Sequence, residues 1–137
     1  MTLDVGSRTI TEKEIVAFAT EYDPQPFHVD QEAAARSIYG GVIASGWQTC
    51  AIMMRLVVDS FMNASSGMGS PGVDELRWIK PLRGGDTLRV TVAVTGVRGS
   101  SSKPDRGVMN STWEGYNQHG ELVVSLKAMA LFMRRPA

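Results

Sequence analysis

The segment Asp23-Pro24-Gln25-Pro26-Phe27-His28-Val29-Asp30 sets a carboxylate and an imidazole five positions apart around two prolines. Each proline locks its own φ at about −65°, so the segment is stiffer than an ordinary connection requires. Stiffness of this kind can hold Asp23 and His28 in a set relation. A carboxylate and an imidazole so held can grip one water and move its protons, which is general acid–base chemistry. The same residues allow two plainer readings. One is a structural turn carrying a surface histidine; the other makes His28 and Asp30 partial metal ligands.

Other candidate chemistry is thinner. Gly67-Met68-Gly69-Ser70-Pro71-Gly72 spells G-x-G-x-x-G, but it follows a helical pattern and precedes a strand, whereas dinucleotide binding needs strand, turn, helix. It reads as a flexible loop. Gly41 to Gly46 has P-loop spacing with Trp47 where a lysine would meet phosphate, and there is no G-x-S-x-G nucleophile elbow. Cys50 falls on an apolar helix stripe, where a thiol is usually inert packing. As the single cysteine it excludes an intrachain disulfide and a multi-cysteine zinc site. Two histidines exclude a histidine-rich metal centre, and His119 sits in a presumed turn. No metal and no cofactor are expected.

The elements around these residues are legible from pattern. Thr11-Glu12-Lys13-Glu14 is a capping box, with Ile10 and Ile15 as its hydrophobic staple. Ile15, Phe18, Ala19 and Tyr22 mark one helix face. Pro24 ends that helix by pushing Asp23 out of the α region. A short alanine-rich helix capped by Asp30 is expected over Asp30 to Ser37. A longer one begins near Ser45-Gly46, with Trp47, Cys50, Ala51, Met54, Val57, Val58 and Phe61 on one stripe and Ile52, Met53 and Leu56 opposite. A helix apolar nearly all round is predicted to be buried. Asn63 to Gly72 reads as a loop.

From Val73 the period becomes two. Leu88, Val90, Val92 and Val94 form one strand face and Leu122 to Phe132 another. Met109 to Asn117 is a strand joined to the last through a Gln118-His119-Gly120 turn. Leu76 to Ile79 is a shorter one, and Gly84-Gly85-Asp86 turns into the next. Helices followed by a run of strands indicate α+β with an antiparallel sheet, here one domain over residues 1–137.

Composition narrows the function classes. The 137 residues carry 14 basic and 14 acidic side chains, a formal net charge of zero. That balance is unsuited to nucleic acid, which needs a basic face, and to a polybasic membrane anchor. With 43% hydrophobic residues the chain can build a core. The N-terminus lacks the charged and apolar regions of a signal peptide, and Ala51 to Val58, broken by Arg55, is too short to span a bilayer. A soluble cytoplasmic protein is expected.

The Asp23 segment resembles the MaoC-like hydratase/dehydratase family, whose motif is Asp-x-Asn-Pro-x-His with an acid two residues on. Asp23, Pro26, His28 and Asp30 match it. The likeness extends through Gly40 to Gly46, Leu76 to Leu82 and Gly85 to Leu88. Gln25 stands where the motif has asparagine, and Ser45 where many members have histidine. The resemblance implies a hotdog fold, an antiparallel sheet wrapped around a long central helix. It also implies (R)-specific hydration and dehydration of a trans-2-enoyl or 3-hydroxyacyl thioester of coenzyme A or acyl carrier protein.

On that basis Asp23 and His28 are the expected catalytic pair and the Gly46 N–H the expected oxyanion donor, aided by the helix dipole. Phe27, Ser45 and Trp47 are expected at the substrate, and Gly46 is expected to admit it close to the backbone. The end of the first helix and partial enclosure are expected to raise the Asp23 pKa. Competing readings are a hotdog thioesterase and a non-catalytic acyl-binding subunit. Pocket depth depends on Trp47, Met53, Met54, Trp78 and Trp113, and Lys80, Lys103 and Arg106 are candidate phosphate contacts. An uncovered sheet edge predicts a homodimer.

Overall fold

The computed structural model describes residues 2–62, 69–99 and 106–133. Five strands form one antiparallel sheet in the order β1-β3-β4-β5-β2: β1 (Thr2–Thr9), β2 (Gly72–Trp78), β3 (Thr87–Gly99), β4 (Arg106–Tyr116) and β5 (Leu122–Met133). The period-two pattern has the expected result: Leu88, Val90 and Val92 of β3 and Val124 and Leu126 of β5 turn inward and are buried. Asn117 N–H donates to Glu121 C=O at 3.0 Å, closing the Gln118-His119-Gly120 turn. Strand β1 is an addition, because the sequence pattern starts only at Thr11. Its pairing with β3 slips between Asp4 and Gly6, so the alternation is broken after Leu3 and Val5 and leaves too short a period to read.

Helix α4 (Gly46–Val57) packs Ile52, Met53 and Val57 against the inward residues of β3, β4 and β5, giving the hotdog arrangement. One π-type turn, Val58–Met62, extends it. The helix is less enclosed than its composition predicts. Gln48, Thr49, Ile52, Met53 and Val57 are buried, while Trp47 is 60% exposed and Met54 44%. One sheet covers one side of a helix, so the expected stripe is split: Val57 is buried, whereas Trp47, Ala51 and Met54 face outward. Gln48 is buried with its amide half satisfied: Nε2 donates to Glu14 C=O at 3.2 Å, while Oε1 has no partner among the described residues.

Helix α1 (Glu12–Tyr22) carries the expected capping box: Glu14 N–H donates to Thr11 Oγ1 and Thr11 N–H to Glu14 Oε1, each at 3.1 Å. Ile15 and Ala19 are buried, but Tyr22 is exposed. Next comes a one-turn helix that the sequence pattern did not announce, α2 (Pro26–Val29), with Pro26 at its first position, where its missing N–H costs nothing. The expected alanine-rich helix is shorter, α3 (Gln31–Ala35), and Asp30 Oδ1 caps it by accepting from Glu32 and Ala33 N–H at 3.0 and 3.1 Å. Much of the expected Asn63–Gly72 loop, residues 63–68, lies outside the described residues.

Candidate active site

Asp23 and His28 meet where α1 ends and α2 turns back. Asp23 leaves the helix with φ −153° and ψ 65°, the departure Pro24 imposes. One turn of α2 then swings His28 inward, where it is buried. Its Nδ1 lies 2.6 Å from Ile43 C=O and its Nε2 3.2 Å from Asp23 Oδ2. A carbonyl only accepts, so Nδ1 carries a proton and donates. Nε2 and the carboxylate oxygen stand within ion-pairing distance of each other. Ile43 N–H in turn donates to Phe27 C=O at 3.1 Å, tying α2 to the approach to α4.

The raised Asp23 pKa expected from the sequence is reversed. Burial does push the carboxyl up. Against it act hydrogen bonds from Gln25 and from the Ser45 hydroxyl, together with the charge and hydrogen bond of His28, and the balance lies below the ordinary value of 3.8. Gln25 is the substituted motif position, and it still braces the carboxylate: its Nε2 donates to Asp23 Oδ1 at 2.7 Å.

Folding thus favours ionised Asp23, a contribution present above the ordinary pKa and lost as pH falls through the lowered one. Replacing Gln25 by Leu removes a donor. The Asp23 carboxyl followed by carbon NMR should then titrate at higher pH than in the native protein. An unchanged midpoint would mean that the brace is ineffective.

Gly46 opens α4 opposite this pair. Among the described residues its N–H makes no hydrogen bond, as expected of a first-turn donor. Ser45 caps the helix through Oγ, which accepts from Trp47 N–H at 3.3 Å. Ser45 is wholly buried, so it acts behind the wall, on the helix and on Asp23. The space where a Gly46 Cβ would sit is filled by Trp78, whose Cε2 would lie 2.3 Å from it. Trp78 Nε1–H donates to Gly46 C=O at 3.0 Å. The glycine is needed for this contact, a requirement the sequence did not announce.

A cleft of about 440 Å³ joins these parts, lined by Asp23, Phe27, His28, Gly46, Trp47 and Trp78 among others. Tyr39 and Thr49 also face it, and neither had a signal in the sequence. Of the residues expected to set its depth, Trp47 and Trp78 line it, Met53 and Trp113 lie in the core, and Met54 faces outward. Lys80 stands at the cleft and is paired with Glu121. Arg106 begins β4 at the far end from the Gly115–Val124 pairing, roughly 30 Å away at strand spacing. Lys103 is outside the described residues.

Cys50 is half-buried rather than enclosed. Burial pushes its thiol up and outweighs a hydrogen bond with Trp78 that lowers it, consistent with an unreactive thiol. Among the described residues no group of three or more His, Cys, Asp or Glu is placed to hold a metal, and no helix is long and apolar enough to cross a membrane.

Comparison with known proteins adds a lineage to this geometry. Residues 2–114 match the family described as MaoC like domain. The crystal structure of the MaoC-like dehydratase from Rhodospirillum rubrum superposes with a TM-score of 0.92 at 42% identity, covering 100% of this chain and 93% of that one. The YdeM protein of Bacillus subtilis is 31% identical over 127 residues, 88% of this chain and 89% of YdeM. The 3-hydroxyacyl-thioester dehydratase Z of Mycobacterium tuberculosis is 30% identical over 108 residues, 77% of this chain and 72% of that protein.

Proposed function

The chain belongs to the MaoC-like domain family of hydratases and dehydratases, and from that premise we propose an (R)-specific trans-2-enoyl thioester hydratase, reversible as a 3-hydroxyacyl thioester dehydratase. The observation that carries this reading is the Asp23 Oδ2 to His28 Nε2 approach of 3.2 Å, in a cleft that also holds the unpaired Gly46 N–H.

Hydration breaks one O–H bond of a water and the π bond between C2 and C3, and forms a C–O bond at C3 and a C–H bond at C2. The Asp23–His28 pair takes the proton from the water and returns one to C2, so its own proton count is restored. Negative charge gathers on the thioester oxygen in between. The Gly46 N–H at the start of α4 is the donor for it, and such a donor is worth roughly 3 kcal/mol of transition-state stabilisation. Phe27 and Trp47 line the path of the acyl group.

The substrate is a thioester of coenzyme A or acyl carrier protein, in fatty acid metabolism in the cytoplasm. Loss of enoyl absorbance with crotonyl-coenzyme A and longer trans-2-enoyl analogues tests the reaction. Release of free thiol instead would mean a thioesterase, and acyl binding without turnover a non-catalytic subunit.

The proposal extends to a homodimer. Trp47, Met54, Trp78 and Ile79 expose apolar surface, and β2 is an edge strand of the sheet, the kind of edge that pairing covers. Elution as one 14.9 kDa chain over a wide concentration range would overturn it.

A further inference from the structure

Trp78 is the last residue of β2, and its backbone is held on both sides. It pairs with Val124, and Ile79 and Lys80 N–H both donate to Val123 C=O, at 2.7 and 3.2 Å. The indole is held as firmly. Its Nε1–H is bonded to Gly46 C=O, its fused edge fills the space beside the Gly46 Cα, and the Trp47 ring meets it edge-on with centroids 5.2 Å apart. Edge-to-face pairs of this separation are attractive. A cleft wall restrained at backbone, donor and ring resists displacement by a ligand, even with Trp78 47% exposed.

That wall stands at the one place the thioester must reach. An oxygen accepting from the Gly46 N–H brings the first acyl carbons to within contact of the indole beside it. The cleft is near the lower end of the range for small-molecule sites, and it must hold the thioester head as well as the acyl group. We propose that Trp78 is a specificity-determining residue that restricts this site to short acyl groups. The inference rests on the enoyl thioester reading of the same cleft.

The test compares kcat/KM for crotonyl-coenzyme A and trans-2-octenoyl-coenzyme A in native protein, Trp78→Ala and Trp78→Phe. Native protein should favour the four-carbon substrate at least ten-fold. Trp78→Ala should raise the octenoyl-to-crotonyl ratio ten-fold or more, whereas Trp78→Phe, which keeps most of the wall but loses the N–H, should leave that ratio near native. If Trp78→Ala does not fold, Trp78→Leu takes its place with the same expected direction.

Equal efficiency on both chain lengths in native protein would overturn the proposal. So would a uniform loss in Trp78→Ala with the ratio unchanged, since that is a purely structural role. Absence of turnover on any enoyl thioester would instead remove the hydratase reading on which the proposal stands.

Discussion

Asp23→Asn should lower kcat/KM for enoyl thioester hydration by about 10²–10⁴-fold, the range for loss of a positioned general acid or base, and should lower the thermal midpoint as well, since the ionised carboxylate favours folding. Asparagine keeps the shape of the side chain and can still meet Gln25, but it cannot exchange a proton with His28 Nε2 across their 3.2 Å approach. His28 needs a more careful substitution. Its Nδ1–H also anchors Ile43 C=O at 2.6 Å, so His28→Ala removes both the chemistry and a tether of the buried loop.

His28→Asn separates the two effects, because an amide N–H can approximate the Nδ1 donor and supplies nothing at the Nε2 position. Both His28 variants should lose activity to a similar extent, with His28→Asn the more stable. On the proposed mechanism the two groups act as a unit, so Asp23→Asn combined with His28→Asn should lose little more than either alone. Turnover that survives both single changes would place the reaction elsewhere in the molecule.

Gly46→Ala should be nearly as damaging, for a reason internal to the protein. A methyl group there would sit 2.3 Å from Trp78 Cε2 and 2.5 Å from its Nε1, more than an ångström inside ordinary contact. Either the indole is expelled and its bond to Gly46 C=O breaks, or the start of α4 moves. A displacement of about 1 Å at a catalytic group can cost on the order of 10²-fold, and activity should fall by at least that much.

The cause can be isolated in a double-mutant comparison. Adding Gly46→Ala to Trp78→Ala, where the space is free, should cost far less than adding it to native protein. An equal cost in both backgrounds would mean that substrate, and not Trp78, needs the missing methyl.

How much of this site could be read from the chain depends on the range of each interaction. The Asp23–His28 relation is largely local, set by five residues, two prolines and one helix end, with the Nδ1 bond to Ile43 C=O added by the fold. The brace from Gln25 is local too, since an amide two residues from a carboxylate reaches it easily. The direction of the Asp23 pKa shift was not legible in the same way. The helix-end argument considers one element, whereas Ser45 lies more than twenty positions away in sequence and adds a donor only after the chain has folded back. Strand β1 escaped for another reason. A bulge after Asp4 interrupts the alternation on which strand recognition depends.

By itself the sequence determined the capping box of α1, the strand faces of β3 and β5, the antiparallel α+β class, and the segment that pairs a carboxylate with an imidazole. Each of these follows from residues within one or two turns of one another, where backbone stereochemistry and hydrophobic period dominate. Only the tertiary structure decided which side of α4 is buried, because that depends on which face the sheet covers and not on how apolar the helix is. It alone set Trp78 against Gly46, thirty-two residues apart, and so gave that glycine a requirement of its own, the space an indole fills. Contacts between distant segments are selected by packing of the whole core, and no local pattern encodes them.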